Sequence, residues 1–294
     1  MNFTTRYEEL GQSFDFRKIT LRKSLRVNTL KIKEEELKKR LLKNGVKLEK
    51  ILFVKNGHFY EAKFSLGSTP EYLQGYYYLQ EAASQIPAEE LGPAEGEVVL
   101  DMAASPGSKT TQLAQLMNNK GVIVALDTDK KRLQSLQNNL ERLSVTNTIV
   151  LKKDARHVAD LGVKFDKILL DAPCSGNFCI EPNYFSVRTL NDLHQRSKLQ
   201  KELLGAAIKV LKPGGVLIYS TCSLEPEEDE LVINWALSNS KDIELVELKT
   251  KLGDPGATNI FGEEINKDIS KTRKFWPHKT GTEGFFVAKL RKIE

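Results

Sequence analysis

Cysteine is scarce in this chain, with three among 294 residues, and none of them stands in a Cys-x-x-Cys pair. We therefore expect neither a disulfide framework nor a zinc or other metal site. Long apolar runs are also missing, because no stretch approaches the roughly 20 continuous apolar residues that cross a membrane. The first residues, MNFTTRYEEL, lack the apolar core of a signal peptide. These absences predict a cytoplasmic protein with no membrane or metal partner. We take it as monomeric, and no protein partner is indicated.

Positive charge is unevenly distributed along the chain. Residues 1–60 contain 15 Lys and Arg against 7 Asp and Glu, whereas the remaining residues contain 29 against 32. A basic segment on a near-neutral body suggests a polyanionic partner. Glutamates are mixed into LKIKEEELKKRLLKNG, so a solvated helix face explains this charge equally well. The candidates for contacts with a nucleic-acid backbone are Arg22, Lys23, Arg26 and Lys31.

Residues 25–60 predict a small α+β unit. The segments LRVNTLK and KLEKILFV have extended patterns, and leucines recur at helical spacing over residues 34–43 between them. Asn44-Gly45 is a typical helix stop signal. We assign this unit to an N-terminal domain over residues 1–80.

Strands and helices alternate from residue 97 onward. The predicted strands are EVVLD, GVIVALD, NTIVLKKD, FDKILLD, VLIYSTC, IELVEL and GFFVAKL, and the predicted helices cover 109–118, 129–142, 189–211 and 226–239. Such alternation is typical of an α/β domain, a mainly parallel sheet covered by helices on both faces. We assign it to residues 81–294, with a turn at 212–215 and a long irregular loop over 251–280.

Acidic residues follow four successive strands of the predicted sheet: Asp101, Asp127, Asp154 and Asp171. Ligands of such sheets bind beyond the carboxyl ends of the strands. The loop 103–109 consists of small residues that let a ligand approach the backbone, and it leads into a helix N-terminus. Asp127 follows this loop at the spacing of an acid that holds a ribose diol. The sequence therefore predicts a nucleoside site.

The expected ligand-binding residues lie in this loop, at the strand ends and one turn into the following helix. They are Ala103, Ala104, Ser105, Pro106, Gly107, Ser108, Lys109, Asp127, Arg132, Asp154 and Asp171. Arg132 could close over the ligand, and its simpler explanation is a surface arginine. Each acid alone is also explained as a loop-capping residue. A phosphate-binding P-loop is excluded, because Ser108 precedes the lysine and Ala103 stands where the first glycine should be.

Two cysteines, Cys174 and Cys222, each follow an apolar strand, in LLDAPCSG and YSTCS. Adjacent parallel strands lie roughly 4.8 Å apart, so both thiols could face one pocket. The simpler explanation of a cysteine is a small buried apolar side chain. The acidic run Glu225–Glu230 follows closely, and nearby carboxylates disfavour a thiolate. We expect these acids to open a helix, complement its dipole and face solvent.

Several segments together resemble the Sun family of RNA cytosine-5 methyltransferases. They are DMAASPGSK (101–109), LLDAPCSG (169–176), YSTCS (219–223) with the acidic helix after it, WPHKTGTEGFF (276–286) and the N-terminal LRVNTLK (25–31). The similarity covers nearly the whole chain, and the short length and the run GSTPEYLQGYYYLQEAAS are most like the archaeal tRNA members. The family's usual Cys-Ala-Ala-Pro-Gly-Gly-Lys loop is Ala-Ala-Ser-Pro-Gly-Ser-Lys here, which keeps the side chains small.

The resemblance implies a Rossmann-like class I methyltransferase sheet with a small N-terminal α+β domain that binds RNA. It implies S-adenosylmethionine as the cofactor, and RNA as the substrate and partner. The likeness to the archaeal members implies tRNA, at cytosines near the junction of the variable loop and the T stem.

By the same resemblance, Cys222 is the nucleophile that adds to carbon 6 of cytosine, and Cys174 helps to release the product. Asp171 would hold the N3/N4 edge of the base, and Lys109 would favour the thiolate by its charge. The base must be flipped or unpaired to be reached. The alternatives left open are an rRNA methyltransferase, a DNA cytosine-5 methyltransferase with Cys174 as nucleophile, and a non-catalytic RNA-binding module.

Overall fold

The computed structural model describes residues 3–181 and 183–293. The strands are β1 Ser24–Val27, β2 Lys47–Lys50, β3 Gly57–Glu61, β4 Tyr77–Leu79, β5 Val98–Asp101, β6 Val122–Asp127, β7 Thr148–Lys152, β8 Phe165–Asp171, β9 Leu211–Thr221, β10 Ile243–Leu245, β11 Asp254–Pro255, β12 Asn259–Ile260, β13 Glu263–Glu264, β14 Arg273–Phe275 and β15 Phe285–Lys292. The helices are α1 Phe3–Glu9, α2 Glu34–Lys43, α3 Pro70–Leu73, α4 Ile86–Leu91, α5 Ser108–Leu116, α6 Lys130–Arg142, α7 Tyr184–Val187, α8 Leu190–Val210, α9 Glu230–Asn239 and α10 Pro277–Thr280. Short 3-10 helices cover Phe16–Lys18, Leu66–Ser68, Ala83–Gln85, Ala155–Leu161 and Lys267–Lys271.

Strands β1 to β4 form a small antiparallel sheet in the order β2-β3-β1-β4. Helix α2 packs on it and buries Leu37 and Leu41 in one cluster with Leu25 and Val27 of β1. The helix covers residues 34–43, as the leucine spacing predicts. An amphipathic helix and a short sheet thus bury each other's apolar faces.

The main sheet has nine strands among the described residues, in the order β11-β14-β15-β9-β8-β5-β6-β7, with β10 paired to β15. Strands β5 to β9 are parallel, and β15 continues the sheet antiparallel to β9. This arrangement confirms the predicted α/β fold with a mainly parallel sheet. The carboxyl ends of the five parallel strands therefore meet along one edge.

Helices cover both faces of the main sheet. On one face, Leu204 of α8 and Val232 of α9 share a buried cluster with Leu170 of β8. On the other face, Leu91 of α4 and Leu113 of α5 belong to a second cluster. In the described part of the chain, no helix is both long and apolar enough to span a bilayer.

Two local predictions are wrong, the turn over 212–215 and the start of the helix over 226–239. Residues 212–215 bulge within β9, because Leu211 pairs with Phe165 and the ladder resumes at Val216 opposite Lys167. The helix predicted over 226–239 begins at Glu230. The residues before it form a turn in which the Asp229 N–H donates to the Pro226 carbonyl oxygen (3.2 Å).

The segment 251–280, predicted as an irregular loop, contains β11 to β14 and α10. Strand β14 pairs with β15 and buries Lys274 and Phe275. Gly253 has a φ of 82°, and a Cβ there would lie 2.7 Å from the Lys274 carbonyl oxygen, so the close approach requires glycine. The prediction is wrong because strands of two or three residues are too short to show a periodicity.

Arg26 lies buried between the small sheet and α5. Its guanidinium donates to the Ser108 carbonyl oxygen (2.9 Å) and to the Thr111 hydroxyl (2.8 Å). The expectation that Arg26 contacts a nucleic-acid backbone is therefore wrong, because a buried guanidinium with internal acceptors is not available to an external phosphate. Arg26 instead ties the small sheet to the helix that follows the loop 103–109.

Candidate active site

The loop 103–109 connects β5 to α5. Gly107 has a φ of 105°, and a Cβ there would lie 2.9 Å from Cδ1 of Leu136, so glycine lets the loop pack closely on α6. Thr110 donates a hydrogen bond to the buried Asp101 (2.7 Å), and burial raises the pKa of Asp101 to about 6. The Ser105 hydroxyl is buried and has no hydrogen-bond partner among the described residues. The loop thus leaves one polar atom available to a ligand.

Asp127 ends β6 beside this loop. Its carboxylate accepts hydrogen bonds from the backbone N–H groups of Ser105 (3.3 Å) and Asp129 (3.0 Å). Arg132 donates to the Ser105 carbonyl oxygen (2.9 Å) and lies 3.5 Å from the Asp127 carboxylate. The structure therefore brings Asp127, Arg132 and the loop together at one strand end.

Asp154 follows β7 and caps the 3-10 helix Ala155–Leu161. Its carboxylate accepts a hydrogen bond from the backbone N–H of Arg156 (2.9 Å) and pairs with the guanidinium of the same residue (2.7 Å). The hydrogen bonds from Arg156 lower the pKa of Asp154. The loop-capping explanation of this acid is therefore correct, and Asp154 also borders a cavity at the strand ends.

A cavity of about 630 Å³ extends across the carboxyl ends of the parallel strands. The sequence-predicted site residues that line it are Ala103, Ser105, Asp127, Arg132, Asp154, Asp171, Cys174 and Cys222. The predicted residues outside its lining are Ala104, Pro106, Gly107, Ser108 and Lys109. Four further basic side chains also line it: Lys153, Arg156, Arg188 and Arg196.

The buried Lys109 and the partly exposed Asp171 form an ion pair at the end of β8. The Lys109 ammonium lies 2.6 Å from Asp171 and donates to the Ser84 hydroxyl (3.1 Å). Ser220 of β9 donates to the other carboxylate oxygen of Asp171 (2.7 Å). Burial alone would lower the pKa of Lys109, but the Asp171 charge and hydrogen bond raise it above the usual value. Lys109 therefore remains a cation in this site.

The thiols of Cys174 and Cys222 lie next to each other, with 3.2 Å between the two Sγ atoms. The hydrogen bond to Cys222 and burial raise the pKa of Cys174 well above its usual value, so Cys174 retains its proton. Asn177 donates to the carbonyl oxygens of Cys222 (2.8 Å) and Gly284 (3.0 Å), which fixes the second loop against β15. All three cysteines are free, and no group of described His, Cys, Asp and Glu side chains could hold a metal ion.

The acidic run after Cys222 is mostly buried, so the expectation that it faces solvent is wrong. Glu225, Glu228, Asp229 and Glu230 are at most 1% exposed. Each carboxylate has internal partners, and those of Asp229 and Glu230 lie 3.1 Å and 2.7 Å from the ammonium of Lys274. Sequence reasoning missed this because the compensating cation lies more than 40 positions along the chain, in the segment predicted as a loop.

Two of these buried acids hold the loops that carry the thiols. Glu228 accepts hydrogen bonds from the backbone N–H (2.9 Å) and the hydroxyl (2.6 Å) of Ser175, next to Cys174. Glu225 accepts a hydrogen bond from the Tyr7 hydroxyl (2.7 Å). Burial raises the pKa of Glu225 to about 7. The acidic run therefore serves as a scaffold for the thiol loops rather than as a solvated helix start.

Two glutamates missed by sequence reasoning, Glu81 and Glu283, lie beside the Lys109–Asp171 pair. The Glu81 carboxylate accepts hydrogen bonds from the backbone N–H groups of Ala83 (2.6 Å) and Glu283 (3.1 Å). The Glu283 carboxylate has no hydrogen-bond partner in the described chain. Burial, and then the charge of Glu81, raise the pKa of Glu283 to about 7. The sequence could have indicated these two glutamates, because both lie inside segments that resemble the family.

The variant Glu283→Gln should become more stable, relative to the parent protein, as the pH rises from about 4.5 to 7. The raised pKa means that the folded parent binds more protons than the unfolded chain in this window, so the parent loses stability as pH rises. Glutamine does not titrate. The free energy of unfolding of the variant, relative to the parent, should therefore change by on the order of 1–3 kcal/mol across this pH window. Urea unfolding at several pH values measures it. A difference that does not change with pH would contradict the raised pKa, and Glu263→Gln, at an exposed position, is the control.

Comparison with known proteins places the chain among RNA methyltransferases. Residues 88–291 match the family described as 16S rRNA methyltransferase RsmB/F, and residues 2–82 match the N-terminal domain of 16S rRNA methyltransferase RsmF. A tRNA (cytosine(49)-C(5))-methyltransferase of Pyrococcus abyssi is 41% identical over 98% of this chain and 94% of its own length. A solved methyltransferase homolog from Pyrococcus horikoshii has a TM-score of 0.86 and 47% identity, covering 97% of this chain and 89% of that chain.

Several relatives are much longer than this chain. A 28S rRNA (cytosine-C(5))-methyltransferase of Mus musculus is 41% identical over 92% of this chain, which corresponds to 35% of the mouse protein. The chain thus spans about a third of the length of that relative.

Proposed function

The chain belongs to the RsmB/F family of RNA methyltransferases, and on that premise we propose that it methylates carbon 5 of cytosine in RNA with S-adenosylmethionine. The observation that carries the proposal is the pair of thiols, 3.2 Å apart, in one cavity with Asp171, whose carboxylate pairs with Lys109. Packing of an apolar core does not explain why two thiols, a carboxylate and an ammonium lie together at the carboxyl ends of the strands.

The residues at the cofactor end suit a nucleoside with a cationic centre. The cavity there contains the unpartnered Ser105 hydroxyl and the carboxylates of Asp127 and Asp154. Loop 103–109 approaches through small side chains, and α5 begins directly behind it. When bound, S-adenosylmethionine would supply an electrophilic methyl group. Asp127 would accept hydrogen bonds from the ribose hydroxyls, and Arg132 would keep the loop against that carboxylate.

The variant Asp127→Ala should bind S-adenosylmethionine at least about tenfold more weakly, because charged hydrogen bonds to a diol would be lost. Isothermal calorimetry measures the affinity. Asp268→Ala is the matched control, since Asp268 is exposed and pairs with Lys271 (2.9 Å), and neither residue lines the cavity. An unchanged affinity in the Asp127 variant would remove this residue from the cofactor site.

The proposed chemistry uses the thiols in separate roles. Carbon 5 of cytosine is a weak nucleophile, and addition of the Cys222 sulfur to carbon 6 makes it an enamine carbon. Asp171 would hold the N3/N4 edge of the base, kept in place by Lys109 and Ser220. After methylation, water in the open cavity would take the carbon 5 proton as the sulfur–carbon 6 bond breaks, and Cys222 would leave as a thiolate. Cys174, which retains its proton, would assist this release by donating its S–H to the departing Cys222 sulfur, 3.2 Å away.

Residues 1–80 form the proposed RNA-binding domain, with the exposed cations Arg22, Lys23 and Lys31 as its contacts. Arg22 pairs with Glu49 (2.5 Å) on an exposed face, and such pairs are weak enough to exchange for phosphate. Changing all three to glutamine should reduce the salt dependence of tRNA affinity by about two units in the log–log slope. Filter binding over a salt series measures it. An unchanged slope would leave these residues as a solubilising face.

We propose tRNA as the substrate, at cytosines near the junction of the variable loop and the T stem. The P. abyssi relative named for cytosine 49 of tRNA, which this chain matches over nearly its full length, supports tRNA. The rRNA names of the family and of the mouse relative favour rRNA as the second candidate. Incubation with labelled S-adenosylmethionine and unmodified tRNA or rRNA transcripts, followed by bisulfite sequencing, distinguishes them. Methylation of rRNA alone would overturn the tRNA assignment.

A further inference from the structure

A cavity of about 950 Å³ lies between α8, α9 and the 3-10 helix Ala155–Leu161, outside the candidate active site. A second hollow of about 470 Å³ adjoins it, and the two share Lys201, Glu202 and Trp235. We call the two hollows together the α8 groove.

The floor of the α8 groove offers a flat aromatic surface. Trp235 of α9 is half-buried and lies over Gly205, where an added Cβ would be 3.6 Å from the indole ring. The small side chains of Ala159 and Ala206 line the same cavity. No acceptor in the described chain bonds to the Trp235 indole N–H. A planar ring could therefore lie on Trp235 without displacing a large side chain.

The walls of the α8 groove carry uncompensated positive charge. Lys198, Lys201 and Lys209 pair with no carboxylate among the described residues. The two acids of the groove are already paired, Glu202 with Arg156 (3.0 Å) and Asp242 with Lys292 (3.3 Å). Three free ammonium groups beside an aromatic ring are complementary to a polyanion that carries planar groups.

The groove adjoins the candidate active site at Arg156, which pairs with Asp154 (2.7 Å) and with Glu202 (3.0 Å). Arg156 lines both the α8 groove and the catalytic cavity, and Arg196 of α8 lines the catalytic cavity two residues before Lys198. From Arg196 to Lys209 the helix rises about 20 Å. Cations therefore follow one helix from the catalytic cavity along the groove.

We propose that the α8 groove binds the single-stranded segment of RNA that continues from the target cytosine, with a base stacked on Trp235 and phosphates on Lys198, Lys201 and Lys209. The proposal rests on the proposed function, which makes RNA the substrate. Nucleic acid fits better than an acidic peptide, because the groove combines spaced cations with a stacking surface and adjoins the catalytic cavity at Arg156.

The test uses oligouridylate, which contains no cytosine and so binds without being methylated. In the parent protein it should quench tryptophan fluorescence, since Trp276 is buried and Trp235 is at the groove. Trp235→Phe should remove the quench. The triple variant Lys198→Glu/Lys201→Glu/Lys209→Glu should weaken binding at least about tenfold and lower the salt slope by about two, at about 0.7 per phosphate.

The matched control is Lys120→Glu/Lys251→Glu/Lys267→Glu, which makes the same charge change at exposed positions elsewhere. Circular dichroism checks that both triple variants fold. Equal affinity and salt slope in the groove variant and the control would overturn the proposal, as would groove binding of oligoglutamate in place of oligouridylate. Because oligouridylate is not a substrate, a failure of methyl transfer would leave this result standing, and a failure here would leave the methyl-transfer proposal standing.

Discussion

Cys222→Ala should abolish methyl transfer and should also abolish any covalent RNA adduct. The proposed step requires a sulfur that adds to carbon 6. Alanine cannot add there, so the enamine does not form and turnover should fall about 10⁴-fold or more. Cys222 is only partly buried, and its loop is held by Asn177 through the backbone, so the side chain can change without unfolding the loop. Labelled methyl transfer and a denaturing gel of enzyme mixed with RNA measure the two effects.

The control for this variant is Cys174→Ala, in the other thiol of the pair. If Cys174 only assists release, this variant should still attack and methylate, and then accumulate a shifted protein–RNA band. The DNA-type arrangement predicts the reverse, with the adduct surviving loss of Cys222 and disappearing with loss of Cys174. Full activity in both variants would mean that the thiols only pack. Cys179→Ala serves as a third variant, because that thiol is also free.

The parts of the fold that the sequence predicted are those with long, regular patterns. Helix α2 and the parallel strands β5 to β8 lie within a few residues of their predicted positions, because alternation and leucine spacing persist over several turns or strand residues. The family resemblance, which used the loops at those strand ends, is confirmed by the match over residues 88–291. Strand β14 was missed because three residues cannot display a period.

The errors in the candidate site have a different cause. Arg26 and the acids Glu225–Glu230 were assigned to the surface because charged residues are mostly exposed. Each instead meets a compensating group from a distant part of the chain, Ser108 and Thr111 for Arg26 and Lys274 for two of the acids. Composition and spacing describe residues that are near each other in sequence. They do not predict ion pairs or hydrogen bonds between residues that are far apart along the chain.

Lys274→Met should lower the free energy of unfolding by about 3–5 kcal/mol, the largest stability effect expected for a single change in this chain. The Lys274 ammonium lies 3.1 Å from Asp229 and 2.7 Å from Glu230, and it donates to the Leu224 carbonyl oxygen (3.1 Å). Burial alone would lower the pKa of Lys274, but the two carboxylates raise it, so the cation is present in the folded protein. Methionine fills a similar volume and leaves both buried carboxylates without a counter-ion.

Urea unfolding of the full chain measures this loss, with Lys279→Met as the control. Lys279 forms an exposed pair with Asp254 (2.5 Å), and exposed pairs contribute about 0–1 kcal/mol. Adding Asp229→Asn and Glu230→Gln to Lys274→Met should restore part of the stability, because the stranded charges are then removed. Since Thr221, next to Cys222, donates a hydrogen bond to Asp229 (2.5 Å), activity should fall with stability in the single variant. A loss no larger than that of Lys279→Met would mean that the buried acids do not depend on this cation.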